Sequence, residues 1–255
     1  MQIQGKTALI SGGASGLGAA TATKLIKHGA NVVIVDLNED MGIAHAHALG
    51  ERALFIQTDI TDSDQVSRAI QIAQTNFGRV DILVNCAGIV AAAKIAGKKG
   101  PHDLDLFKKI INVNLIGVFN LTREAVYQML SNDANDEGGK GVVINTASVA
   151  AFEGQIGQIA YAASKAAIVG MTLPMARDLA DDGIRVCTIA PGIFETPMMA
   201  SLPETARVSL GKTVPFPSRL GNPDEFAQLV QSIIENPMLN GETIRLDGAI
   251  RMTPK

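Results

Sequence analysis

The stretch TALISGGASGLGAATATKL, Thr7 to Leu25, decides the fold. The apolar run from Thr7 to Ser11 has the length and composition of a buried strand. From Leu17 to His28 the apolar residues recur at helical spacing. Between the two sit Gly12, Gly16 and Gly18. Glycine at a strand-to-helix turn lets the backbone bend sharply and approach a pyrophosphate, whose charge then meets the free N–H groups of the helix start. The spacing is GxxxGxG, not GxGxxG, so a purely structural turn is the competing reading. Placement after a first strand and ahead of an amphipathic helix favours the phosphate cradle.

The same alternation continues along the chain. Strands are expected at Asn31–Asp36, Ala53–Thr58, Val80–Asn85, Gly141–Ala147, Arg185–Ala190 and Glu242–Leu246. Helices are expected at Glu39–Leu49, Asp62–Phe77, Leu104–Leu130, Ala160–Asp181 and Pro223–Glu235. Runs such as VVIV, DILVN and VVIN are apolar throughout, which fits strands covered on both faces. Strand–helix alternation implies an α/β fold: one Rossmann-type, doubly wound domain spanning residues 1–255, with a seven-stranded, mainly parallel sheet and helices on both faces. Three stretches read as irregular: Ala91–Asp103, Ser131–Lys140 and Phe194–Arg219, the last as a lid over a substrate.

Bulk properties exclude several classes. The 255 residues are 47% hydrophobic and carry a net charge of −3. That leaves no basic excess for nucleic acid and argues against disorder. Cys86 and Cys187 lie far apart inside apolar runs and read as core residues in a reducing compartment. No apolar stretch reads as a membrane span, and no metal site is expected, the HAH at His45–His47 reading as a solvated face. The N-terminus runs straight into a strand pattern. The expectation is a cytoplasmic protein, or a processed form in the mitochondrial matrix.

Polar residues mark the carboxyl ends of the strands. Asp36 closes the second strand in IVDLN, 24 residues after Gly12. A carboxylate there accepts hydrogen bonds from a dinucleotide's ribose hydroxyls and repels a 2′-phosphate. Leu37 and Asn38 follow, with no Arg to hold such a phosphate, so NAD is expected rather than NADP. A turn cap is the plainer account of Asp36 alone. Asp59-Ile60 reads equally as a turn or as an adenine contact. VNCAG places small residues, Cys86 to Gly88, at the end of the fourth strand. Asn114 in IINVNLIG is either a buried, hydrogen-bonded amide or a group beside the same crevice. Ser148 ends INTAS; thirteen residues on comes Tyr161 of YAASK, and Lys165 lies one helical turn further.

With these residues together, the chain resembles the short-chain dehydrogenase/reductase family along essentially its whole length. SGGASGLG, Asp36, NCAG, Asn114, Ser148, YAASK and APG at Ala190–Gly192 carry the resemblance. Cys86 stands where the family often has a second Asn. The resemblance implies a catalytic tetrad of Asn114, Ser148, Tyr161 and Lys165. It implies a cofactor held by Gly12, Ser15, Gly16, Leu17, Gly18, Asp36, Asp59, Ile60, Cys86, Ala87, Gly88, Tyr161, Lys165, Pro191, Gly192, Ile193 and Thr196. Asn114 would help hold a water linking Lys165 to solvent, and Lys165 would bind the nicotinamide ribose.

The chemistry is alcohol oxidation with Tyr161 as base and Ser148 on the substrate oxygen. A cation about 4 Å from the phenol contributes about 4 kcal/mol at an effective dielectric of about 20, before desolvation. Lys165, helped by the positive nicotinamide of NAD⁺, is thus expected to bring Tyr161 toward working pH. VAAFEGQIGQIA and FETPMMASLPETARVSL suggest an apolar substrate wall: Phe152, Ile156, Phe194, Met198, Met199 and Leu202, with Gln155 and Gln158 as polar reach. Core packing explains each wall residue equally well.

NTASVAAFEGQIGQIAYAASK, VPFPSRLG and IIENPMLNGETIRLDGAIRM are similar to the type II 3-hydroxyacyl-CoA dehydrogenase group, which overlaps the 17β type 10 hydroxysteroid dehydrogenases. That implies NAD-linked oxidation of 3-hydroxyacyl-CoA, including 2-methyl-3-hydroxybutyryl-CoA, in fatty acid and branched-chain amino acid degradation, by a homotetramer. Lys94, Lys98 and Lys99 then either meet CoA phosphates or belong to a solvated loop. Rival readings are an NADPH-linked 3-oxoacyl-carrier-protein reductase, a hydroxysteroid dehydrogenase, and a non-catalytic NAD-binding scaffold.

Overall fold

A computed structural model describes residues 1–98, 100–200 and 203–254. Lys99 and Leu202 lie outside the described residues, as does the side chain of Met198. The chain runs β1 (Thr7–Ser11), α1 (Gly16–Lys27), β2 (Asn31–Asp36), α2 (Glu39–Leu49), β3 (Ala53–Gln57), α3 (Ser63–Phe77) and β4 (Ile82–Asn85). A two-residue hairpin follows, β5 (Ala96–Gly97) and β6 (Gly100–Pro101). Then come α4 (Leu104–Ile111), a π-helical turn (Asn112–Gly117), α5 (Val118–Met129), β7 (Gly141–Thr146), α6 (Ile159–Asp178) and β8 (Ile184–Pro191). The chain closes with α7 (Pro197–Ala200), α8 (Glu204–Lys212), α9 (Pro223–Glu235) and β9 (Thr243–Leu246).

The main sheet has seven strands in the order β3-β2-β1-β4-β7-β8-β9. Every pairing in it is parallel, so the fold is Rossmann-like and the expected "mainly parallel" sheet is wholly so. Strand residues divide alternately between two cores. Ile10, Ile34, Val84 and Ile144 face one layer with Leu25 of α1 and Phe226 and Val230 of α9. Leu9, Val33, Leu83 and Val143 face the other with Ile70 of α3, Leu121 of α5 and Ile168 of α6. Because β1 leads to β2 on one side while β4 lies on the other, the order reverses between β1 and β4. Their carboxyl ends open a crevice there.

Three expectations need correction. The helix Leu104–Leu130 is broken by the π turn, where Gly117 lies so close to Ile60 that a Cβ would sit 2.8 Å from its Cγ1. The stretch Phe194–Arg219 contains α7 and α8. The fourth strand starts at Ile82, because the N–H and C=O of Val80 go to the side chains of Gln128 and Asn132. Two residue-level expectations also shift. α6, at 20 residues and mean hydropathy 1.3, is long and apolar enough to cross a membrane by length and composition. It packs against the sheet with Ser164, Lys165, Ile168 and Thr172 buried. His45, expected on a solvated face, is half-buried, and burial lowers its pKa.

Opposite the crevice, Asp81 locks the amino-terminal edge of the sheet. Its carboxylate is fully buried and accepts the Thr7 N–H at 3.0 Å. Arg79 at 2.6 Å and Lys6 at 3.3 Å supply the charge partners. Removing it leaves a buried amide donor and two half-sheltered cations without their acceptor. Asp81→Ala is expected to lower stability in urea unfolding by about 2–3 kcal/mol, without changing dinucleotide affinity. A loss below about 1 kcal/mol would mean that both cations rehydrate freely.

Candidate active site

The crevice begins at the glycine turn. Gly12 has φ +65°, and a Cβ there would meet the Ala87 nitrogen at 2.8 Å. A Cβ on Gly18 would lie 2.3 Å from the Gly12 carbonyl oxygen. These two glycines let α1 start against both β1 and the end of β4. Gly16 faces Thr196 and Pro197, whose side-chain atoms lie 3.5–3.7 Å from where its Cβ would be. Thr196 is thereby brought beside the glycine turn, over a distance of 180 residues in sequence. The N-cap of α1, Ser15, makes no side-chain cap, and the first turn holds no acid. An uncapped helix start carries unsatisfied N–H donors and the positive end of the dipole.

Asp36 sits at the end of β2 with its carboxylate accepting the Ala14 N–H at 3.1 Å and the Asn38 N–H at 3.0 Å. It is a turn cap, yet a carboxylate has about four acceptor sites and two remain for hydroxyl donors. The glycine turn, the uncapped helix start and this carboxylate fit a dinucleotide. Asp59 follows the turn reading: one oxygen takes both the Thr61 N–H and the Thr61 hydroxyl at 2.8 Å. Ile60 is buried against Gly117. On the far side, Gly192 presses against Asp247, where a Cβ would sit 2.9 Å from its Cα, so the chain leaving β8 turns at Gly192–Ile193 hard against the end of β9.

The tetrad residues converge below this turn. Ser148 caps the 3₁₀ turn Val149–Ala151, accepting the Ala150 N–H at 3.1 Å, and its side chain favours the charged form of the Tyr161 phenol. Lys165 is buried, donates to the Thr146 carbonyl at 2.7 Å, and lies 5.9 Å from the centre of the Tyr161 ring. A Cβ on Gly88 would lie 3.5 Å from its Nζ. Burial lowers the Lys165 pKa to about 8, so the ammonium form prevails at pH 7. Cys86, beside it, is pushed up to about 11 by burial and stays a thiol.

In the free chain, burial raises the Tyr161 pKa above its ordinary value, and Ser148 pulls it down. A hydrogen bond to the phenol oxygen favours the charged form, whereas a low-dielectric surrounding penalises it more. Asn114 is held by three bonds: Oδ1 accepts the Ile89 N–H at 2.8 Å, and Nδ2 donates to the Ile89 carbonyl at 2.8 Å and to Ser164 at 3.1 Å. That side chain pins the segment after β4 to α6, and Oδ1 keeps one further acceptor site.

The substrate-side residues divide. Phe152 and Ile156 are about half exposed, at 48% and 51%. Phe194, expected on the wall, is buried in the core and packs on Gly221. Gln155 donates to the Thr253 carbonyl at 3.1 Å, and Gln158 accepts the Gln155 N–H at 3.0 Å. Both glutamines hold their own loop. The composition missed a further group. Ser11, Asn85 and Asn145 stand in register on β1, β4 and β7. Ser11 donates to Asn85 at 3.4 Å, and Asn85 donates to Asn145 at 2.8 Å and to Thr122 at 3.0 Å. The only signal was polarity at equivalent ends of three apolar strands.

Comparison with known proteins agrees with this geometry. The family model described as short chain dehydrogenase matches residues 6–207. The chain is 56% identical over 254 residues to the Homo sapiens protein named 3-hydroxyacyl-CoA dehydrogenase type-2, covering 99% of this chain and 97% of that one. It superposes with a TM-score of 0.95 on the structure of 3-hydroxyacyl-CoA dehydrogenase type-2 from Mycobacterium avium, at 44% identity and 98% coverage of both chains. The Brucella melitensis 3-ketoacyl-(acyl-carrier-protein) reductase complexed with NADH gives a TM-score of 0.86 at 32% identity, covering 97% of this chain and 98% of that one.

With two tyrosines and no tryptophan, the phenol can be watched directly. Tyr127→Phe leaves Tyr161 as the sole phenol. Its near-ultraviolet titration should have a midpoint above about 10 in the free protein, and Ser148→Ala should raise it further. A midpoint below about 10 would mean that the ammonium outweighs burial.

Proposed function

The chain belongs to the short chain dehydrogenase family, as an oxidoreductase of a family that binds a nicotinamide cofactor, and we propose that it oxidises the secondary hydroxyl of 3-hydroxyacyl-CoA with NAD⁺. The observation that carries this reading is buried Lys165, held by the Thr146 carbonyl 5.9 Å from the centre of the Tyr161 ring, with Ser148 acting on the phenol and Asp36 at the glycine turn.

When bound, the oxidised nicotinamide supplies the hydride acceptor and a positive charge. The chain supplies the proton path. Tyr161 takes the hydroxyl proton of the substrate, and Ser148 hydrogen-bonds the same oxygen as charge develops on it. Each pKa unit by which Tyr161 lies above working pH costs about 1.4 kcal/mol of base strength. Ser148 offsets part of that cost. Lys165, held by the Thr146 carbonyl, keeps a cation behind the phenol. Asn114 fixes the Ile89 backbone and so the floor of the site.

For the cofactor, the carboxylate of Asp36 supports NAD⁺ over NADP⁺ by repulsion of a 2′-phosphate. For the substrate, the half-exposed Phe152 and Ile156 offer an apolar edge to an acyl chain. Leu104, Ile116, Phe119, Ile159 and Leu173 leave an exposed apolar surface on α4 to α6, which supports self-association to a homotetramer.

The test is NADH formation from 3-hydroxybutyryl-CoA, its 2-methyl analogue, longer 3-hydroxyacyl-CoAs, a hydroxysteroid and a simple secondary alcohol. CoA esters should turn over fastest, and Tyr161→Phe should lose at least about 10³-fold in kcat while retaining NADH. Asp36→Ala should narrow the preference for NAD⁺ over NADP⁺ by about tenfold or more. Turnover of the steroid alone would replace the substrate. Equal use of both cofactors by the parent chain would replace the cofactor.

A further inference from the structure

The loop between the two residues that meet the substrate oxygen is short. It leaves Ser148 through the Val149–Ala151 turn, passes Phe152 to Gln158, and enters α6 two residues before Tyr161. Any shift of this loop therefore moves one member of the pair against the other. Three neighbours hold it. α6 lies close at Gly154, where a Cβ would meet Ala162 at 3.0 Å. The segment after β4 is bound through the Ala93 N–H, which donates to the Gly157 carbonyl at 2.8 Å. The third neighbour is the C-terminal segment.

That third contact is built from charge. Arg245 on β9 forms a two-pronged pair with Glu153: Nη1 to Oε1 and Nη2 to Oε2, both at 2.9 Å. Its Nε donates to Asp247 at 2.8 Å, and its guanidinium lies 5.2 Å from the ring centre of Phe152. Arg251 closes the set, with Glu153 at 3.5 Å and Asp247 at 3.2 Å. Two carboxylates and two guanidiniums thus form a ring of zero net charge. The tail continues past it: Gln155 donates to the Thr253 carbonyl, and the Ile156 N–H donates to the Pro254 carbonyl at 3.0 Å.

The ring also touches the opposite wall. Arg245 pairs in register with Ala190, and Asp247 abuts Gly192 in the turn at the end of β8. One cluster therefore joins the turn expected at the cofactor to the loop expected at the substrate. Arg245 and Glu153 are mostly sheltered, at 21% and 28% side-chain exposure, so their pair is less screened than a surface one. A planar fork is needed to serve Glu153 and Asp247 and to stack on Phe152 at once; a lysine ammonium cannot do this.

We infer that Glu153 and Arg245 are positioning residues of the active site, forming an ionic strap by which the C-terminal segment sets the Phe152–Gln158 loop against the substrate. The inference rests on the reading of Ser148 and Tyr161 as the groups that meet the substrate oxygen. The strap holds Phe152 and Ile156 as the apolar edge and fixes the spacing of Ser148 and Tyr161.

The test uses Glu153→Gln, Arg245→Lys and the double variant. Each single change should raise KM for 3-hydroxybutyryl-CoA by about 5- to 20-fold, with kcat falling no more than about threefold and NADH affinity unchanged. The double variant should be no worse than the weaker single, because both remove one interaction. A fall in Tm with no change in KM would overturn the inference, as would additive effects or an Arg245→Lys variant that behaves as the parent. A second arm needs no substrate. In the Tyr127→Phe background, Glu153→Gln should move the Tyr161 titration down toward about 10 as water reaches the phenol. An unmoved midpoint would overturn the strap. If the parent chain turns over no 3-hydroxyacyl-CoA, the substrate assignment fails and the phenol titration alone decides the strap.

Discussion

The crevice depends on a buried polar ladder across three parallel strands. Ser11, Asn85 and Asn145 stand side by side at the carboxyl ends of β1, β4 and β7, all shielded from water. A buried amide without a partner costs about 1–3 kcal/mol; in this register Asn145 Nδ2 is the one side-chain group of the ladder left unpaired, and a slip would unpair the others. A slip of one residue would also send every side chain of a strand to the wrong core. Ser11 extends the ladder to the chain beyond β4 by accepting the Ala87 N–H at 3.3 Å. The positions of Cys86 to Gly88, of Thr146 and hence of Lys165 follow from this single constraint.

Burial works against the chemistry as well as for it. The same enclosure that orients Tyr161 and Lys165 makes their charged forms more costly, raising one pKa and lowering the other. A neutral phenol beside a partly desolvated ammonium is the resting arrangement. Among the described residues, Ser148 opposes the effect of burial on the phenol. Positioning is therefore what the scaffold does best. The amide of Asn114 and the ionic ring around Arg245 both fix backbone near the site.

Much of this was legible from residues alone, because the signals are local or periodic. β1 and β2 fall at their expected bounds, as do α2 and α9. Apolar runs mark parallel strands, and Gly, Asn and Asp mark their ends. The glycine turn and the acid that closes β2 were legible for the same reason: Gly12, Gly18 and Asp36 act through backbone geometry or one short carboxylate. Other contacts have a cause of a different kind. Phe194 and Gln155 have side chains suited to contact with a substrate, but neighbours distant in sequence hold them. Gly221 takes the ring of Phe194, and Thr253 takes the amide of Gln155. The π turn escaped because helical periodicity over Leu104–Leu130 carries no record of one extra residue in a turn.

By itself the sequence determined the α/β alternation, the glycine turn, the acid at the end of β2, and the Ser148, Tyr161 and Lys165 set. Each is written in residue type and spacing over a few turns or strands. Only the tertiary structure decided which polar side chains were already spent. It bound Asn114 to Ile89, enclosed the phenol so that burial raises its pKa, and closed the ring of Glu153, Arg245, Asp247 and Arg251 across 92 residues between its main partners. The physical reason is that hydrogen bonds, ion pairs and desolvation depend on distances and burial in space, which spacing along the chain does not encode.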